Sequence, residues 1–309
     1  MSRLRWAFNC GRWSPSEAEW TMAAQCIQPE EKERIGKFVF KKDAKSSMAG
    51  RLLLRKVISE TLNIPYKDVK LGRTPKGKPV LETKMKTGFP NFNFNVSHQG
   101  EYAVLAAEPV YQVGIDVMDI AQPRGSKSTA EFFDLMSRQF TDHEWSNIKQ
   151  PTSEMEQLGM FYRHWCLKES YCLKESYVKA FGIGIGFNLE RLSFHVKTPL
   201  HTGVITSDTT FHIDGELDPA WRFEETKLDE KHCVAVGICT DVKQINRNCG
   251  NVIETLTDSE EYMEETVPSF KMLTFKDLID GAEALTEPDE LYWKTFNAKD
   301  EMPRRWKDT

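Results

Sequence analysis

A single acid stands at the centre of an apolar run, Val113-Gly114-Ile115-Asp116-Val117. The run reads as a short buried strand, and a carboxylate there is costly unless it is paired or metal-bound. Asp116 could be an ion-paired strand acid. It could equally hold magnesium, which takes one or two carboxylates, substrate phosphates and water as ligands. Glu169 and Glu175, on a later stretch of helical pattern, are candidates for a second carboxylate. Upstream, Arg73-Thr74-Pro75-Lys76-Gly77-Lys78-Pro79 is a turn whose glycine and prolines fix a tight backbone while its cations point outward. It is a phosphate cradle or a solvated loop. Arg34, within the mixed-charge segment 30–37, and Lys41-Lys42 leave the same choice. His98, following Ser97 at a strand end, is placed to meet a phosphate or a carbonyl, or is structural.

The elements that must carry these groups are mixed. Ser14-Pro15-Ser16-Glu17 has a capping-box form with proline at the first helical position, opening a helix over 18–27. Asp43 can cap a longer helix reaching about Leu62, with Met48, Leu52, Leu53 and Val57 on its core face and Arg51, Arg55 and Lys56 on its solvated side. Phe92, Phe94 and Val96 alternate with asparagines as in a half-buried strand; a turn over Ser97–Gly100 leads to a partner strand over 102–107. Helical patterns cover 131–149 and 156–180, and strands are expected at 191–196, 209–213 and 233–238. Past residue 241 the chain turns acidic, with five acids over 258–265, and reads as a solvated linker before a short amphipathic helix over 270–279.

With 309 residues, 40% hydrophobic and a net charge of -5, the chain can bury a core, which excludes wholesale disorder and fibrous repeats. It has no run of 18 apolar residues, and Met1–Trp6 lacks the apolar run of a secretory signal, so a cytosolic protein is expected. Its seven cysteines include no CxxC pair, which points to reduced structural thiols rather than disulfides or zinc.

In chain order, Gly77-Lys78-Pro79, Asn95-Val96-Ser97-His98, Gly114-Ile115-Asp116 and a W-x-x-K-E-[AS]-x-x-K helix resemble the 4'-phosphopantetheinyl transferases of the surfactin-synthetase type. The resemblance runs from about Arg5 to Ile238. It implies an α+β fold of two similar halves related by a pseudo-twofold, here 1–107 and 108–240, with 241–309 as an acidic, partly flexible extension. Coenzyme A would lie between the halves. It implies magnesium-dependent transfer of the phosphopantetheine arm of coenzyme A to a serine of apo acyl or peptidyl carrier domains, of the fatty acid synthase or aminoadipate-semialdehyde dehydrogenase type. By the same resemblance the chain is a monomer without nucleic-acid or membrane partners. Asp116 and a helix acid become magnesium ligands, the helix acid also a base for the serine. Arg34, Arg73, Thr74, Pro75, Lys76, Gly77, Lys78, Asn95, Val96, Ser97 and His98 contact coenzyme A, and the lysine after the helix acid binds phosphate.

Two departures matter. Met118 stands where many relatives carry a second strand acid, leaving one ligand position to water. More seriously, Cys166–Tyr171 is repeated at once as Cys172–Tyr177. Six extra helical residues advance the helix about 9 Å and turn it about 240°, so both copies cannot present their acids to one metal. Glu175 has Lys179 four residues on, on one helix face, whereas Glu169 has Leu173 there. Spacing therefore favours Glu175 with Lys179, Glu169 being the alternative. The rival reading is a non-catalytic module that still binds carrier domains or coenzyme A. A nucleic-acid binder is disfavoured by the sequence pI of about 5.9.

Overall fold

The computed structural model describes residues 3–73, 79–83, 91–122, 128–172, 191–241 and 267–302, with 169–172 as helix backbone only. In chain order the elements are β1 (Leu4–Asn9), α1 (Glu17–Gln25), α2 (Pro29–Gly36), α3 (Lys41–Leu62), β2 (Leu71–Arg73), β3 (Pro79–Leu81), β4 (Asn93–Gln99), β5 (Tyr102–Glu108) and β6 (Gln112–Asp119). Then come α4 (Thr129–Leu135), α5 (Asp142–Lys149), α6 (Glu154–Cys172), β7 (Leu192–His195), β8 (Thr210–Ile213), β9 (Glu216–Leu217), β10 (Trp221–Asp229) and β11 (His232–Cys239). Last are β12 (Lys271–Leu273), α7 (Phe275–Ile279) and α8 (Glu290–Asn297). The fold is α+β. Two compact units divide it, Met1–Pro90 with Asn95–Ala107 and Lys271–Thr309, and Asn91–Phe94 with Glu108–Phe270.

The first unit is built on a sheet of order β12-β1-β5-β4. β1 was not legible as a strand because its apolar residues are interrupted by Arg5, whose guanidinium is nonetheless buried. β4 runs on to Gln99, past the turn expected at Ser97, and the chain reverses at Gly100, whose φ of 60° suits glycine. The cap of α1 is Ser16 paired with Glu19, two residues later than expected, so Pro15 precedes the helix instead of opening it.

Helix α3 ends where expected, at an Asn63 with φ of 52°, but begins at Lys41, and Asp43 sits in its first turn instead of capping it. The carbonyls of Asp300 and Glu301 receive the Lys41 and Lys42 amides, at 2.9 and 3.1 Å. Met48, Leu52, Leu53 and Val57 form its core face as expected. The solvated side does not exist: Arg51, Arg55 and Lys56 are buried. Arg55 donates to the carbonyls of Tyr66 and Val69 and stacks over the Tyr66 ring, and Lys56 donates to the Asp280 carbonyl. Periodicity identifies an apolar face but cannot show that carbonyls from distant segments will receive the charged one.

The segment 241–309, expected as an extension, contributes β12, α7 and α8 to the first unit. β12 pairs in parallel with β1, Leu273, Leu278 and Phe296 are buried, and the Phe296 ring lies 3.6 Å from that of Trp20. The helix expected over 270–279 is thus a strand followed by a short helix. The acid-rich stretch 258–265 lies outside the described residues.

In the second unit β6 and β10 flank β11, both antiparallel to it, and Asp116 of β6 stands opposite Ala235. α6 packs on β6 and β11. A core of Phe133, Phe140, Ile148, Leu158 and Phe161 joins α4, α5 and α6. The single helix expected over 131–149 is two, because Thr141 caps α5 in a box with Glu144. Cys10, Cys26, Cys166, Cys233 and Cys239 are free and buried, and burial pushes the Cys10 thiol up to about 12.

Phe296→Ala is expected to lower the unfolding free energy by about 3 kcal/mol, the scale for emptying a buried aromatic site. Urea denaturation checks this, and an unchanged midpoint would mean that the C-terminal helix only rests on the surface.

Candidate functional site

Glu31, on α2, is the hub of the first unit's polar chemistry. The first turn of α2 is acidic, opened by Pro29, and the helix buries Ile35 together with Glu31. A carboxylate in that position needs cations. Arg34, one turn on, reaches it at 3.0 Å and also donates to Ser47 Oγ of α3 at 2.8 Å. Arg73, at the end of β2, grips both carboxylate oxygens, Nε and Nη2 each at 2.9 Å. Arg51 of α3 stands 3.7 Å away. Burial would raise the Glu31 pKa, but Arg51, Arg34 and Arg73 outweigh it and hold it below its ordinary value.

Three guanidiniums against one carboxylate leave two positive charges in excess. Arg51 is only 6% exposed, and among the described residues its Nε and Nη1 find no hydrogen-bond acceptor. Burial lowers its pKa to about 10, Glu31 opposing the shift and Arg73 and Arg34 adding to it. An anion beside it would satisfy these donors.

His98, near the end of β4, belongs to the same neighbourhood. Its ring keeps solvent access, yet displaced water lowers its pKa first, the Arg51 and Arg34 cations lower it further, and Asp43 opposes them. The ring is therefore held neutral, able to donate or accept one hydrogen bond. Asn95 is buried, which the alternation in this strand did not anticipate, while Val96 and Ser97 are half-buried.

The structure thus brings together Arg34, Arg73 and His98 from the sequence reading and adds Arg51 and Glu31, which that reading missed. A signal existed: Arg51 interrupts an otherwise apolar run, Met48 to Leu54, where an arginine must have a buried purpose. Thr74, Pro75, Lys76, Gly77 and Lys78 lie outside the described residues. Their flanks, β2 and β3, pair antiparallel with Arg73 opposite Pro79.

In the second unit Asp116 lies mid-strand and is 8% exposed. Cys166 of α6 donates its thiol to the Asp116 carbonyl at 3.1 Å, which sets α6 directly over this strand. Met118 is buried on β6. Among the described residues no cluster of three or more histidine, cysteine or acidic groups could hold a metal. Asp116 is instead one hard oxygen donor, fitting magnesium, which asks few ligands of the protein when phosphates and water supply the others. Glu175 and Lys179 lie outside the described residues, and Glu169 is described only as helix backbone.

Comparison with known proteins identifies the family. Residues 11–110 match the model of the family described as 4'-phosphopantetheinyl transferase, N-terminal, and 112–172 that of the 4'-phosphopantetheinyl transferase superfamily. The chain is 47% identical over 306 residues, 99% of itself and 94% of the relative, to the L-aminoadipate-semialdehyde dehydrogenase-phosphopantetheinyl transferase of Homo sapiens. It is 36% identical over 237 residues, 75% of itself and 77% of the relative, to a phosphopantetheinyl transferase of Thraustochytrium. It is 28% identical over 199 residues, 63% of itself and 80% of the relative, to a 4'-phosphopantetheinyl transferase of Bacillus subtilis.

Arg51→Gln is expected to weaken binding of inorganic pyrophosphate roughly tenfold or more, the worth of one charge-assisted hydrogen bond. Calorimetric titration measures it, and unchanged affinity would remove Arg51 from the site. Because the Glu31 pKa is lowered, its contribution to stability is present above the ordinary value near 4.5 and is lost as pH falls through the lowered one. Glu31→Gln should flatten this acid limb of the stability profile, and an identical profile would contradict the pairing.

Proposed function

The chain belongs to the 4'-phosphopantetheinyl transferase superfamily, and from that premise we propose how its residues divide the work. It is a transferase that moves the 4'-phosphopantetheine arm of coenzyme A to a serine of an apo carrier protein. The serine oxygen attacks the β-phosphorus, the bond from that phosphorus to the bridging oxygen breaks, and 3',5'-ADP leaves while the hydroxyl proton passes to a base. The relatives' names support this activity over the non-catalytic binding module.

The arginine excess around Glu31 is the observation that carries the assignment of roles. Coenzyme A is polyanionic, and a preorganised cation cluster neutralises phosphate charge without reorganising during the reaction. Arg34, Arg51, Arg73 and the loop cations Lys76 and Lys78 bind phosphates, with Thr74, Pro75 and Gly77 shaping the loop. Asn95, Val96, Ser97 and neutral His98 line the same ligand along β4. Asp116 and a helix acid, Glu169 or Glu175, would hold magnesium, which would supply positive charge for the pyrophosphate and its departing oxygen. The helix acid also receives the serine proton, directly or through water. Lys179 is the phosphate-binding lysine where Glu175 serves.

Carrier domains are the protein substrates. The relatives named for aminoadipate-semialdehyde dehydrogenase support a carrier of that kind, and a fatty acid synthase carrier domain presents the same serine chemistry. No described helix is long and apolar enough to cross a membrane. A monomer acting in the cytosol fits this reading.

The test is the mass of an apo carrier protein incubated with coenzyme A. A gain of one phosphopantetheine that requires magnesium, and falls at least about a hundredfold in Asp116→Ala, supports the assignment. A variant retaining near-normal turnover at limiting magnesium would overturn the role of Asp116.

A further inference from the structure

We infer that the first of the two identical hexapeptides, Cys166–Tyr171, is the one seated against the second unit's core, so that Glu169 and not Glu175 is the helix acid of the transfer site. This rests on the transferase reading above and reverses the preference that spacing alone gives to Glu175.

The copies are chemically indistinguishable, so what precedes them must decide. Lys168, in the first copy, is 1% exposed. Its ammonium lies 2.9 Å from the fully buried Glu144 carboxylate and 2.7 Å from the Leu192 carbonyl, with the Phe140 and Phe194 rings beside it. Glu144 also accepts the Thr141 and Phe194 amides, and it stands 3.6 Å from His164. One turn back, Arg163 grips Glu225 with two hydrogen bonds of 2.8 and 3.0 Å, both side chains buried.

Seating the second copy instead would slide every α6 position by six residues. Cys172, Leu173 and Lys174 could replace Cys166, Leu167 and Lys168 without loss. Their forerunners could not. Glu169 would then stand where Arg163 meets Glu225, setting two carboxylates against each other in the interior. His164 would take the place of Leu158 in the aromatic core. Only the first copy agrees with both contacts.

The same register sets the backbone position of the acid. Cys166 touches the carbonyl of Asp116, and helical repetition carries the positions three and four further on, 169 and 170, along that face. Seating the first copy therefore places its acid position one turn along the strand that bears Asp116, with Leu173 where the downstream lysine is expected.

Four variants test this in the full chain: Lys168→Met, Lys174→Met, Glu169→Gln and Glu175→Gln. Lys168→Met strands Glu144 and is expected to lower the metal-free thermal midpoint by roughly 10 °C, and Lys174→Met by less than about 2 °C. Glu169→Gln should lower carrier modification about a hundredfold and weaken Mn2+ binding at least tenfold in the presence of coenzyme A, read by electron paramagnetic resonance. Glu175→Gln should cost less than about tenfold in either. Should Lys168→Met not fold, the two glutamine variants, which leave the buried pair intact, still decide. Lys174→Met as the destabilised variant, or Glu175→Gln as the inactive one, would overturn the inference. Absent transfer by the unaltered chain would fail the transferase reading, leaving the two melting curves to decide the seating.

Discussion

A carboxylate withdrawn from water must be met by cations or take up a proton, and Glu31 is met by three guanidiniums from three different elements. That requirement ties α2, the middle of α3 and the end of β2 to one point. It also explains why the cluster can serve as an anion site. One buried acid cannot neutralise three arginines, so it fixes their directions while leaving positive charge for a ligand. Arginine suits this because its planar fork spans an acid and a second acceptor at once, as Arg34 does between Glu31 and Ser47.

The second unit meets the same demand with a different outcome. Glu144 and Glu225 are each matched by buried partners, Lys168 and Arg163, so little charge remains for a ligand. There the ion pairs act as a register, fastening α6 over β6 and β11 at one setting. Each unit thus uses buried carboxylates differently: in the first, cations outnumber the acid they meet, and in the second, acid and cation are matched.

The parts of the molecule legible in the sequence are those governed by short-range rules. The strand over β4, the apolar face of α3 and the buried acid at the centre of β6 follow from period and composition, and the structure shows each, although Asn95 is buried against the alternation. What escaped depends on contacts between distant segments. Arg51 and Arg55 were assigned to solvent because periodicity does not register that an apolar helix may be covered on its charged side as well. Residues 271–302 read as an extension because β12 is three residues long and finds its partner only at β1. Arg163 and His164, on which the inferred seating of the hexapeptides rests, meet partners on β10 and α5 that are remote in sequence. In the first unit Arg34, Arg73 and His98 were visible as residue types in suggestive places, whereas the carboxylate that organises the arginines carried no local mark beyond its helical spacing to Arg34; in the second, Asp116 was marked by the apolar strand around it.

The most direct test of this account is the affinity of 3',5'-ADP for the wild-type protein and for Glu31→Gln, measured by calorimetric titration at one ionic strength. Charge counting alone says that the variant, one unit more positive, binds an anion more tightly. If Glu31 instead holds the three guanidiniums in their working directions, the variant binds at least about tenfold more weakly, as loss of a supporting contact behind a binding residue does. Equal or tighter binding by Glu31→Gln would contradict the account.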